Sequence, residues 1–135
     1  MTEALLAYHS ALIALVVLAA MIYVQVLVAD LAGMGARHVP GMPVTSGHAS
    51  FHFRAVRAIG NTNETLGLTL LLVPLAIALA ANPQWTNAMA WAYVAGRAGH
   101  MAFYYAKLGL ARSISFGVGL AAQFALLVLC VVAVL

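Results

Sequence analysis

The chain has 135 residues, 65% of them apolar and 7% charged, and its mean hydropathy is +1.03. A soluble domain carries about 25% charged residues, so an ordinary water-bathed surface is excluded. Disorder is excluded too, because it needs few apolar residues and many charges. Six Lys and Arg against three acids give a net charge of +3, too few cations to coat nucleic acid, and no nucleic-acid-binding motif accompanies them. The lone Cys130 lies in an apolar run, which leaves no internal disulfide and no CxxC metal site. The length predicts one all-α domain over residues 1–135 whose solvent is largely lipid.

A bilayer crossing takes about 20 apolar residues, and four stretches meet that need, predicting helices over about 4–32, 54–81, 85–107 and 112–135. The first run, from Leu5 to Leu31, has no basic segment before it and is too long for a cleaved signal, so it reads as a span. The connection that follows holds Gly33, Gly35, Pro40, Gly41, Pro43 and Gly47, which a regular helix does not survive. The second run is apolar from Thr65 to Ala81, and Asn61-Thr62-Asn63-Glu64 extends it as a polar helical prefix. Asn82-Pro83 makes a tight turn into the third run, which carries Arg97 and His100. Gly109 and Arg112 bracket the last turn, and Ser113 to Leu135 is the fourth span.

Arg37, Arg54, Arg57, Lys107 and Arg112 all fall in or beside the first and third connections. The positive-inside rule therefore predicts a cytoplasmic 33–53 loop and 107–112 turn, with both termini on the opposite side. The short loops and small size suit a bacterial inner membrane.

Two polar stripes interrupt the apolar pattern. Arg57, Asn61 and Glu64 follow an i, i+4, i+7 spacing, and Arg97, His100 and Tyr104 follow i, i+3, i+7, so each set shares one helical face. Arg54 extends the first face, and Tyr93 and Lys107 extend the second. A charge deep in a span costs roughly 2.5–3.5 kcal/mol by insertion scales, so Arg97 needs compensation. An Arg97–Glu64 pair that locks the bundle is one solution. The other is a net-positive binding site for a small molecule with two carboxylates and one ammonium, in which Glu64 takes the ammonium.

The segment Arg57-Ala-Ile-Gly-Asn61-Thr-Asn-Glu64 resembles the Arg-x-x-x-Asn-x-x-Glu signature of the MAPEG family, the membrane-associated proteins in eicosanoid and glutathione metabolism. Arg97-x-x-His100-x-x-x-Tyr104, followed by Arg112-Ser113, is similar to the pattern of its microsomal prostaglandin E synthase and glutathione transferase branches. The resemblance implies a four-helix subunit in a homotrimer, with glutathione held between neighbouring subunits. It implies that Arg57, Asn61 and Glu64 hold glutathione from one side and Arg97, His100 and Tyr104 from the other. Arg112 would sit over the sulfur with Ser113 beside it. Arg37 is the candidate for a first-helix arginine that the family carries about a turn earlier, where Gly33 and Met34 stand here.

The chemistry implied is activation of glutathione as thiolate for attack on a lipophilic electrophile or hydroperoxide arriving from the membrane. A competing function is a non-enzymatic lipid-binding scaffold of the same fold, which would bind no glutathione. An ion conductor is a third, but it needs a polar stripe that reaches the far side, and helices two and three become apolar there. His38, His48 and His52 are scattered without the fixed spacing of a metal site, so no metal is expected.

Overall fold

The computed structural model describes residues 3–135. A helical turn, α1 (Glu3–Leu6), precedes four long helices: α2 (His9–Gly35), α3 (Phe51–Ala78), α4 (Pro83–Tyr105) and α5 (Gly109–Val134). No strand occurs among the described residues. The long helices have 27, 28, 23 and 26 residues, and at about 1.5 Å rise per residue each is long enough for a hydrocarbon core of about 30 Å. By hydropathy as well as length, α2 and α5 qualify as membrane spans, with mean values of 2.8 and 2.5. The polar stripes hold α3 and α4 below that level.

The packing order explains which helices could be that apolar. α3 and α4 touch each other, and each also touches both α2 and α5. The two polar-striped helices thus sit centrally and the two apolar helices flank them. Val16, Tyr23, Leu31, Phe124 and Val132 are all more than 60% exposed on those flanking helices, a surface that only lipid solvates cheaply.

Small residues let α4 and α5 close up. A Cβ on Gly96 of α4 would meet the Gly119 amide nitrogen of α5 at 2.7 Å and the Ser115 carbonyl at 2.9 Å. Ser115 and Gly119 are four residues apart, the small-xxx-small spacing that brings membrane helices into backbone contact. Beneath that crossing lies a core of Leu18, Leu72, Val73, Ala76, Ala90, Tyr93, Ala122 and Leu126.

The first helix is not continuous from residue 4, because a side chain far away in sequence cuts into it. Asn87 on α4 accepts from the Ala11 amide at 2.9 Å and donates to the Ala7 carbonyl at 2.8 Å. Those two backbone groups would otherwise bond to each other as i and i+4, so the amide of Asn87 replaces one helical hydrogen bond and α2 starts afresh at His9. Tyr8, at the break, donates to the Ala81 carbonyl.

The remaining ends follow local chemistry. Ser50 and Asn82 cap α3 and α4 by accepting from the amides of Phe53 and Trp85, and Pro83 fills the first helical position, where its missing N–H costs nothing. Three helices end in the same way, on a left-handed residue: Arg37 after α2, Ala80 after α3 and Lys107 after α4. The next amide in each case reaches back to a carbonyl five residues earlier, as His38 to Gly33, Ala81 to Ala76 and Leu108 to Phe103, the Schellman closure. Gly109, expected as the turn glycine, instead opens α5.

Candidate functional site

The end of the bundle where α2 and α4 finish and α3 and α5 begin collects Arg37, Arg54, Arg57, Lys107 and Arg112. Within it, α3, α4 and α5 enclose a cavity of about 260 Å³ lined by Arg57, Asn61, His100, Tyr104, Arg112, Ser113 and Phe116. Six of the nine residues singled out in the sequence meet there, from three helices of a single chain.

Arg97 is the element beneath. Its residue is only 1% exposed, and it does not line the cavity. Its Nη1 donates to Asn61 Oδ1 at 3.0 Å, with longer contacts to the Asn61 carbonyl and Thr65 Oγ1 at 3.4 Å each. The ring of Phe116 lies 4.9 Å from its Cζ and that of Tyr93 5.8 Å, both within cation–π range. The direct Arg97–Glu64 pair does not form; Asn61 stands between them, donating to Glu64 Oε2 at 3.3 Å. Arg97 Nη1 is thus occupied by α3 behind the cavity, while its Nε is buried without a partner.

That commitment fixes Asn61. With Oδ1 taken by a cation, the amide must present its NH2 outward, toward Glu64 and the cavity rim. The network continues inward, where Thr65 Oγ1 is 2.8 Å from the Tyr93 hydroxyl. Gln123 Nε2 donates to the Thr65 carbonyl at 2.7 Å and to Thr69 Oγ1 at 2.8 Å. Polar residues on α3, α4 and α5 therefore bond to one another below the cavity, with Arg97 Nε and Gln123 Oε1 left without a partner, and free groups remain at its wall.

The free groups are of one electrical kind. Arg112 lies with its Cζ 4.5 Å over the Tyr104 ring, and Arg57 is exposed. Neither guanidinium donates to a protein acceptor among the described residues. His100 is buried against Tyr104 and Phe116, with ring centroids 5.4 and 6.1 Å away, and its Nδ1 has no partner. Ser113 spends its hydroxyl proton on the Gly109 carbonyl at 3.1 Å. The cavity wall contains no acid, and the carboxylate of Glu64 lies just outside it, exposed on α3.

Arg37 is placed elsewhere. It is exposed in the left-handed cap of α2 and belongs to the wall of no cavity at this site. At the position one turn earlier Gly33 is buried, and a Cβ there would meet His52 Nε2 at 3.1 Å. The space beside it is filled by an imidazole from α3.

Two residues have roles that their sequence positions did not predict. Arg54 does not extend the polar face outward. It is 8% exposed, donating to the carbonyls of His48, Ala49 and Tyr105, so it straps the first connection to the end of α4. His48, held by that strap, stacks on Tyr104 with centroids 5.9 Å apart and planes 21° from parallel. No spacing rule links residues this far apart in the chain, and a lone histidine in a Gly- and Pro-rich loop gives no periodic signal.

The chain matches the MAPEG family over residues 7–132. That covers nearly its whole length, and the protein belongs to this family of membrane proteins. No curated protein matches the chain.

Proposed function

We propose that this MAPEG protein is a multi-pass, membrane-bound glutathione-dependent transferase or peroxidase, with the Arg57–Asn61–His100–Tyr104–Arg112–Ser113 cavity as its active site. The observation that carries the reading is the charge arrangement of that cavity: two uncommitted guanidiniums in the wall, an outward-turned Asn61 amide, and one carboxylate at the rim. Glutathione presents the complement, with two carboxylates, one ammonium and a thiol. A polar network closed upon itself would leave no such set of free donors.

Arg57 and Asn61 receive the carboxylates in this reading, and Glu64 receives the ammonium. Glu64 and Arg57 are exposed on the bundle surface, so a second protein surface is needed to close the site over them, and a homotrimer supplies it. Arg37, exposed at the same end of the bundle, is available to reach the site of a neighbouring subunit. The basic end of the bundle faces the cytoplasm in this reading, by the charge asymmetry of its connections, and the short loops and small size suit a bacterial inner membrane.

The thiol is the reacting group that glutathione brings, attacking as thiolate an electrophilic carbon with loss of its leaving group, or the outer oxygen of a hydroperoxide. The latter attack breaks the O–O bond, releases the alcohol and leaves a sulfenic acid that a second glutathione converts to disulfide and water. Arg112 makes the thiolate available. A free thiol has a pKa near 8.5, and bringing it to about 6.5 requires about 2.7 kcal/mol of preference for the anion. One guanidinium about 4 Å from sulfur contributes on the order of 4 kcal/mol at an effective dielectric of 20. A single arginine is enough, and it stays protonated at every relevant pH. The Tyr104 ring under Arg112 holds the guanidinium in place, and Ser113, with its proton directed to Gly109, is left to accept or to rotate toward the sulfur.

Titration of the purified protein with glutathione, followed by calorimetry and by thiolate absorbance, tests the reading. Saturable binding with a thiolate signal that disappears in Arg112→Ala is expected. Absence of binding in the wild type would assign the chain to the lipid-scaffold class instead.

A further inference from the structure

A second cavity, of about 390 Å³, shares Tyr104 and Arg112 with the first. Its remaining wall includes His48, Arg54, Phe103, Lys107 and Leu108. It has three cations and no acid.

The cations differ in how they are held. Arg54 is more than nine-tenths buried, and carbonyls occupy its Nε and Nη1, while its Nη2 has no partner among the described residues. Lys107 is set by the left-handed cap of α4, with φ of 62°, and has no hydrogen-bonding acceptor among the described residues. Arg112 rests on Tyr104. Arg54 is buried, Arg112 half-buried and Lys107 exposed; the three line a space with no acid in its wall, and the imbalance is costly at the buried guanidinium of Arg54. An oxyanion removes the cost.

The lip of the cavity says what the anion is attached to. Leu108 in its wall and Leu110 just beyond Gly109 are 52% and 78% exposed, at the turn from α4 into α5. A basic pocket between spans, opening on an apolar lip at the charged end of a bundle, has the layout of a phospholipid headgroup site. We propose that this cavity binds the phosphate of an anionic phospholipid, with Lys107, Arg112 and the free Nη2 of Arg54 around the phosphate oxygens and the acyl chains leaving past Leu108 and Leu110. The site shares Tyr104 and Arg112 with the cavity read above as the glutathione site, while Arg54 and Lys107 line it alone, so its test is made at Lys107 and without glutathione present.

Native mass spectrometry of the intact protein titrated with phosphatidylglycerol or phosphatidylcholine in mixed micelles tests it. A preference for phosphatidylglycerol of about ten-fold or more is expected, and Lys107→Asn, which tolerates the left-handed backbone, lowers it about five-fold, the usual effect of one basic residue at a lipid surface. Lys107→Arg keeps the preference. Arg37→Gln, at the same end of the bundle but outside the cavity wall, keeps it as well. Equal binding of the two lipids, or equal losses in Lys107→Asn and Arg37→Gln, would overturn the proposal by reducing it to general surface attraction. Displacement of the lipid by millimolar inorganic phosphate would also overturn it, because the occupant would then be a free anion.

Discussion

Arg97 Nη1 lies 3.0 Å from Asn61 Oδ1, and that contact sets the polarity of the whole site. A guanidinium fully inside the bundle takes the acceptor end of the amide and turns its donor end toward the ligand. Asn61→Asp keeps the acceptor for Arg97 and places a second carboxylate beside Glu64 Oε2. The variant is expected to fold as the wild type does, while binding of glutathione weakens by about ten-fold, the equivalent of 1.4 kcal/mol. Asn61→Leu removes the acceptor too, and the buried charge left behind costs about 1–3 kcal/mol or more. Unfolding in detergent against calorimetric affinity separates the two variants.

Arg112 is the test of the chemistry. Loss of a positioned charge-stabilising donor lowers kcat by about 10²–10³-fold, so Arg112→Ala is expected to lose turnover by that factor with a standard electrophile such as an activated chloroarene. Arg112→Lys retains the charge but not the flat stacking on Tyr104, and falls between the two. Steady-state rates at saturating glutathione provide the comparison. Unchanged kcat in Arg112→Ala would remove this residue from the reaction.

The sequence displays the four-helix plan because hydropathy is a local quantity, and it displays the Arg57–Asn61 face because a spacing of four is a helical neighbour relation. It does not display which cation is sealed and which is free. Arg54 and Arg57 are three residues apart on one helix, yet Arg54 ends against the carbonyls of His48, Ala49 and Tyr105 while Arg57 remains exposed. Those acceptors exist only after the first connection has folded back and α4 has ended. Arg97 is similar: its position inside a span announces that it needs a partner, but Asn61 and Glu64 are both on α3 and both reachable from a helical wheel. Only the packed geometry selects the amide. The break before α2 is the clearest case, since residues 4–32 have no helix breaker and the interruption comes from Asn87, 76 residues beyond Ala11.

Gly96 tests the helix crossing. A methyl there would stand 2.7 Å from the Gly119 nitrogen and 2.9 Å from the Ser115 carbonyl, and backbone has no rotamer with which to yield. Gly96→Ala is expected to force α4 and α5 apart at a cost of about 1–3 kcal/mol, the usual range for overpacking. Gly117→Ala, where an added Cβ meets nothing, is the control on the same helix pair and is expected to be neutral or slightly stabilising, because alanine is the better helix former by about 1 kcal/mol. Thermal unfolding in one detergent reads both.

Arg54 tests whether the first connection is held or merely present. Its three hydrogen bonds end on carbonyls from two separate segments, at 2.8, 2.9 and 3.3 Å, an arrangement that uses the planar fork of a guanidinium. Lysine offers a single ammonium on a flexible stem and cannot span the same set. Arg54→Lys is therefore expected to lose most of the strap, and Arg54→Met all of it, with a cost of about 1.5–3 kcal/mol for bonds made to a charged group. The loss is local. Amide exchange should accelerate across residues 44–50 and at the end of α4, while the Ala11–Asn87 junction at the opposite end of the bundle keeps its protection. Since His48 stacks on Tyr104 only while the connection is strapped down, both variants should also raise the KM for glutathione more than they lower kcat. A uniform rise in exchange over the whole chain would show instead that Arg54 supports the fold at large and not this loop.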